Sequence, residues 1–371
     1  MLHGRAEPTT ELDFETTIPE QVRGLPPYRG KVSWEALALA LDEMTGPAHE
    51  RRRLAREYKD LVRRHGLSIL MPRLRMSYCA ARLRLGDFSD YWGWEFRGAH
   101  NPDESRSWAA NMYWSETWMA KWGGGTIKRL LVLAEQGIGD EVFFASILPE
   151  CLLRAQEVIY ECDPRLHGLL SHAWPRLQCR PYREFEDRRF DYGPIDAFIP
   201  AGELMRMFRR ARGHFPGKAY LTPNPERVAE FERFRGRTGI SWRGRQGSVE
   251  PSAFGIDNPV SLQYGEGSEG IEHPGIDLRN DIEGVVALCS VLERVVTVPT
   301  SVQHFAGAAG VRTEIIVPDN VATQIHWDYP SSPEGNPLPW YPDARVWDSL
   351  DHWRQSYEDS QALQDISRRI A

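Results

Sequence analysis

The chain has 371 residues, 41% of them hydrophobic and 26% charged, the composition of a folded protein of two or three domains. A net charge of −7 argues against a protein that coats nucleic acid, because neutralising phosphates needs a basic surface. No apolar run approaches the ~20 residues of a membrane helix, and the N-terminal stretch MLHGRAEPTTELDFETT lacks an apolar signal core. Five cysteines, at 79, 151, 162, 179 and 289, show no CxxC and no Cys/His ligand spacing. That pattern disfavours a zinc site or a disulfide framework and fits a reducing cytoplasm.

Residues 1–30 are polar and carry Pro19, Pro26 and Pro27, which predicts an irregular arm. Residues 31–125 read as a helical domain. SWEALALALDEMTG has Ser33 as N-cap and Gly46 as stop, and AHERRRLAREYKDLVRRHG ends at Gly66. A further stretch from Ile69 breaks at Gly86. Trp114, Trp118 and Trp122 lie four apart on one helical face, a stripe that reads as core.

From residue 126 the pattern changes to short apolar runs alternating with helical ones, the mark of β-α units on parallel sheets. The first half, 126–225, opens on KRLLVLAEQ as a buried strand, followed by DEVFFASILPECLLRA as one amphipathic helix. EVIYECD then reads as a strand and PRLHGLLSHAW as a helix; residues 181–222 are less regular. After a hinge expected near 223–236, the second half spans 236–350. RTGISWRG and NPVSLQYGE are its first two strands, and DIEGVVALCSVL is a helix. ERVVTVPTS is a strand, VQHFAGAAG a helix and RTEIIVP a strand. Residues 351–371 close the chain as an amphipathic helix.

Four stretches carry candidate chemistry. In GIGD, Gly137 and Gly139 leave a strand and Asp140 opens a helix. The residues fit either a tight turn with acidic capping or a loop that presents Asp140 as a general base at a strand's carboxyl end. Glu141 reads as an ordinary first-turn acid. In TVPTSVQHFAGAAG, Thr300 and Ser301 cap a helix of small residues, with His304 one turn on. This is a phosphate-binding helix start or a well-capped core helix. Arg243 and Arg245 follow a strand and are either diphosphate ligands or solvated loop residues. Gln263 and Tyr264 end another strand, where base recognition and sheet packing are both open. The chain has no GxxxxGK[ST] or GxSxG motif, and no DxD run after a strand.

Taken together and in order, these motifs resemble the glycosyltransferase-like module that ends many bacterial tetratricopeptide-repeat proteins. LLVLAEQGIGDEVFFASILP is similar to its first strand-loop-helix, GISWRG to its Gly-[IL]-x-Trp-x-Gly strand and SLQYGE to its Ser-Leu-Gln strand. VVTVPTSVQHFAGAAG is similar to its Asp-Thr-x-x-x-His-x-Ala-Gly-Ala element, and PWYPDARVW to its Trp-Tyr-Pro-x-x-Arg segment. LRLGDFSDYWGWEFR resembles the degenerate last repeat that precedes the module. The wider kin are the lipopolysaccharide heptosyltransferases and, more distantly, the O-linked N-acetylglucosamine transferases.

The resemblance implies an α/β fold: a GT-B-like pair of Rossmann-type domains preceded by an α-helical, degenerate tetratricopeptide-like region. It implies an inverting glycosyltransferase with Asp140 as base and Gly137 and Gly139 as the acceptor loop. Arg243, Gln263, Thr300, Ser301 and His304 would form the donor site. No metal and no cofactor are expected, the nucleotide-sugar being a substrate. The acceptor would be a glycan, a protein or another hydroxyl-bearing molecule, with nucleic acid disfavoured. Pro299 departs from the family, which carries Asp there to help hold the donor. Two other readings remain: an inactive scaffold that binds a nucleotide-sugar or a protein, and another sugar-nucleotide enzyme such as an epimerase.

Overall fold

The computed structural model describes residues 122–134, 137–181, 193–244, 247–265, 269–318, 335–347 and 349–357. The arm 1–30, nearly all of the helical region 31–125, Cys79, Trp114, Trp118 and Arg245 lie outside the described residues.

The first half begins with β1 (Ile127–Leu133), α1 (Ile138–Ala145), α2 (Leu148–Arg154) and β2 (Ala155–Cys162). It continues with α3 (His167–Ala173), β3 (Leu177–Pro181), β4 (Ala197–Pro200) and α4 (Ala201–Phe208). Its sheet has the order β3-β2-β1-β4, every pair parallel. Sequence reasoning expected one helix after β1, and the structure has two. Pro149 lies in the first turn of α2. A proline there has no N–H to give to the Ala145 carbonyl four residues back, so the helical ladder is interrupted after Ala145. β4 went unassigned because its four residues, AFIP, are all buried and show no alternation.

A short helix, α5 (Pro225–Ala229), leads into the second half. It is tied to that half: Arg227 pairs with Asp281 at the start of α6 and with Glu230. The second half comprises β5 (Thr238–Ser241), β6 (Arg243–Gly244), β7 (Gly247–Ser248) and β8 (Val260–Ser261). α6 (Ile282–Val291), β9 (Arg294–Thr297), α7 (Ser301–Ala308) and β10 (Arg312–Ile316) follow, then β11 (Asn336–Pro337) and β12 (Ala344–Trp347). Backbone over 350–357 is helical, as expected for the tail.

The second sheet has the order β11-β12-β10-β9-β5-β8. All its pairs are parallel except that of β11 with β12. β6 and β7 form a separate antiparallel hairpin.

The chain is therefore mixed α/β, with two Rossmann-type halves. One apolar core runs through both, from Leu130 and Val132 of β1 to Val295 of β9 and Ile315 of β10. Trp122 is buried in it, its ring tilted against Phe208 with centroids 6.0 Å apart, so the described member of the tryptophan stripe is core. On the far face of the second sheet Ile240, Trp242, Trp347 and Trp353 form a second cluster.

Candidate functional site

In an open parallel sheet, ligands collect at the strands' carboxyl ends, where the strand order reverses. In the first sheet β2 lies on one side of β1 and β4 on the other, so the reversal falls at β1 and the GIGD loop leaves from it. In the second sheet β8 and β9 flank β5. Ser241 of β5 is level with Thr297 of β9, and the chain leaves these two ends through Arg243 and through Thr300. Each half thus places a sequence-predicted motif at its own switch point.

The two switch points also meet. A Cβ on Gly139 would lie 2.7 Å from His304 Cδ2 and 3.1 Å from Ser301 Cα. The first turns of α1 and α7 are therefore in contact, and that contact is what Gly139 serves. Its role in the structure is packing between helices, where the sequence suggested room for a ligand. Gly244 does the same locally, since a Cβ there would lie 2.5 Å from the Pro299 carbonyl oxygen. The β6–β7 hairpin is folded down onto the start of α7.

Asp140 is half-buried, and one carboxylate oxygen accepts a hydrogen bond from the Gly137 N–H at 3.0 Å. The capping role weighed from sequence is thus present. Glu141 differs from expectation. It is fully buried, and its carboxylate accepts from the Asp163 N–H at 2.8 Å. α1 is covered by its own sheet on one side and by α7 on another, and the Glu141 side chain lies on a covered face, out of reach of solvent.

His304 is buried, 4% exposed. Its Nδ1 lies 2.6 Å from the Tyr341 hydroxyl and its Nε2 lies 3.0 Å from the Gln303 amide nitrogen. The Tyr341 ring stacks with that of Tyr220, centroids 6.5 Å apart, and the Tyr220 hydroxyl donates to the Val142 carbonyl of α1 at 3.0 Å. Burial holds both phenols above the usual tyrosine range. The Tyr341 ring lies against Gly307, where a Cβ would come within 2.6 Å. Phe143 packs edge-on to Trp340 and Tyr341. Tyr220 and Tyr341 were not identified from sequence; only the Trp-Tyr-Pro segment hinted at the second.

Thr300 is the N-cap of α7, its hydroxyl accepting from the Val302 N–H at 3.2 Å. Ser301 is half-buried, and its hydroxyl has no hydrogen-bond partner among the described residues. Gln263 is 4% exposed, and its side-chain oxygen accepts from Ser241 and from the Arg243 N–H. It ties β8 to the end of β5, so sheet packing accounts for its carbonyl. The Arg243 side chain is exposed and makes no ion pair among the described residues. It passes Gly265, 3.3 Å from a built Cβ, where a φ of +96° requires glycine. The remaining thiols are packing groups: burial pushes Cys151 and Cys289 up to about 12, so neither is a thiolate at neutral pH.

The site therefore combines a carboxylate on the first half with an exposed guanidinium and a helix N-terminus on the second. No protein-family model matches the sequence. Protein FlbA of Caulobacter vibrioides is 27% identical over 271 residues, 61% of this chain and 44% of FlbA; the chain thus spans under half of that relative's length. Among solved structures, a glycosyl transferase family 9 protein from Veillonella parvula is similar at a TM-score of 0.40 and 12% identity, over 59% of this chain and 86% of that one. The E. coli ADP-heptose lipopolysaccharide heptosyltransferase II is similar at a TM-score of 0.40 and 13% identity, over 63% and 99%.

Proposed function

We propose that the chain is an inverting glycosyltransferase, moving a sugar from a nucleoside-diphosphate sugar to an acceptor hydroxyl without a metal or resident cofactor. The observation that carries this reading is the meeting of two switch points, one bearing Asp140 and the other bearing Arg243 and the N-terminus of α7. The motif order along the sequence supports the same reading.

The donor diphosphate binds at the second half. The α7 N-terminus presents the positive end of the helix dipole and the Ser301 hydroxyl, and Arg243 supplies a fork that fits phosphate oxygens. Pro299 has no N–H to add, which leaves more of the charge neutralisation to Arg243. The acceptor approaches from the first half. Asp140 takes the proton of the attacking hydroxyl as its oxygen bonds to the anomeric carbon. The bond to the diphosphate breaks on the opposite face, which inverts the centre. Arg243 and the helix start then hold the charge that collects on the leaving group. The acceptor is a glycan, a protein or another hydroxyl-bearing molecule, and the net charge of −7 disfavours nucleic acid.

A second reading, a nucleotide-sugar-binding scaffold without turnover, draws on the bond between Asp140 and the Gly137 N–H, which commits part of that carboxylate to capping. Ligand-induced thermal shifts of the full chain separate the possibilities, using UDP, GDP, ADP, CMP, dTDP and their sugar conjugates. A ligand at 100 times its dissociation constant stabilises the fold by about 2.7 kcal/mol. Arg243→Ala should weaken the response to the true donor about tenfold or more. Asp140→Asn should keep that response and lose acceptor-dependent release of nucleoside diphosphate. Unchanged release would remove Asp140 as base, binding without release from any acceptor would favour the scaffold, and a flat panel would reject the nucleotide site.

A further inference from the structure

We infer that Tyr264 is the platform on which the donor's nucleobase stacks, an assignment that rests on the nucleotide reading above and adds the part of the ligand that reading leaves open. Among the described residues only two large hydrophobic side chains are exposed, Leu153 and Tyr264. Leu153 lies on α2, away from the switch points. Tyr264, 53% exposed, follows the end of β8, the strand beside β5. Its hydroxyl has no partner among the described residues, so no hydrogen bond of that group explains its position.

What surrounds Tyr264 fixes its backbone and leaves its ring in solvent. Gln263, just before it, is buried and clamped to Ser241 and Arg243. Its amide also donates to the Tyr264 carbonyl at 3.3 Å. Gly265, just after it, turns the chain back past the Arg243 guanidinium. Across the carboxyl edge of the sheet the order is therefore Tyr264 beyond the end of β8, Arg243 beyond β5 and Thr300 with Ser301 beyond β9. Two strand spacings, about 10 Å, separate the ends of this row. A nucleoside diphosphate laid along it puts its phosphates at α7 and Arg243 and its base over Tyr264. The end of the strand next to the first is where dinucleotide-binding halves recognise the nucleoside, and an aromatic face stacks on any base.

Affinities of the full chain for UDP, ADP and inorganic pyrophosphate, measured by calorimetry for wild type, Tyr264→Ala and Tyr264→Phe, test this. Stacking predicts that wild type binds a nucleoside diphosphate more tightly than pyrophosphate. Tyr264→Ala should lose about tenfold or more for the nucleotide and nothing for pyrophosphate, and Tyr264→Phe should restore nucleotide binding. Equal nucleotide affinity in wild type and Tyr264→Ala would overturn the inference while leaving the phosphate site standing. Equal losses for nucleotide and pyrophosphate would also overturn it, since the ring would then shape the loop around Arg243. If wild type binds none of the three ligands, the phosphate site itself fails and this inference with it.

Discussion

Gly139→Ala tests how the two halves are joined. The added methyl would sit 2.7 Å from His304 Cδ2, 3.1 Å from Ser301 Cα and 3.3 Å from Ser301 Cβ. None of these atoms yields easily. The imidazole is held by Tyr341 at 2.6 Å and Gln303 at 3.0 Å, and Ser301 Cα is backbone in the first turn of α7. Overpacking of this kind costs about 1–3 kcal/mol. Alanine's advantage over glycine in a helix interior returns at most about 1 kcal/mol, and less in a first turn. The net loss is about 1–2 kcal/mol, or a fall in Tm of about 2–8 °C for a unit of this size. Gly137→Ala is the matched control. Its φ of −99° and ψ of 167° suit any residue, and its one close neighbour is the movable tip of Asp140 at 3.2 Å. A poorer N-cap and a less flexible unfolded chain roughly cancel there, within about 0.5 kcal/mol. Both variants are compared with wild type by thermal and urea unfolding of the full chain. If Gly139→Ala proves as stable as Gly137→Ala, the contact between α1 and α7 does not limit the packing, and the meeting of the two switch points loses its support.

Tyr341→Phe keeps the ring on Gly307 but strips the oxygen that pairs with His304 Nδ1. A buried polar nitrogen left unpaired costs about 1–3 kcal/mol, to be read as a lower urea midpoint at unchanged slope; an unaltered midpoint would refute the bond between His304 and Tyr341. The same variant carries a pH signature. The buried phenols of Tyr220 and Tyr341 keep their protons when the unfolded chain, with its tyrosines at 10.0, begins to lose them. Above about pH 10 the native state therefore binds more protons, and stability falls as pH rises. Each such phenol contributes up to about 1.4 kcal/mol per pH unit, so Tyr341→Phe should flatten the alkaline slope by about that amount, and an unchanged slope would place the phenol in solvent.

The parts of this fold that sequence exposes are those whose signal is local. Strands β1, β9 and β10 announce themselves as apolar runs, and the Thr300 cap fixes where α7 begins. Strand β4 hides because full burial erases alternation, and the break between α1 and α2 rests on Pro149 inside an otherwise unbroken helical pattern. Glu141 illustrates a different limit. An acid in a first turn is usually solvated, and only the covering of α1 from both sides, a fact of tertiary packing, buries it.

The candidate site follows the same division. Asp140, Arg243 and Thr300 stand at strand ends, and once the strands are known the switch-point rule locates them without further information. His304 and Gly139 needed the other half of the molecule. Each is chosen for a neighbour more than 150 residues away in sequence, and nothing near either one reports that neighbour. Gly139 reads as a loop glycine and His304 as a phosphate ligand until α1 and α7 are brought together. Then the missing side chain of one is the space the imidazole of the other fills. On the proposed reading, the groups that face a ligand are Asp140 from one half and Ser301, Arg243 and Tyr264 from the other.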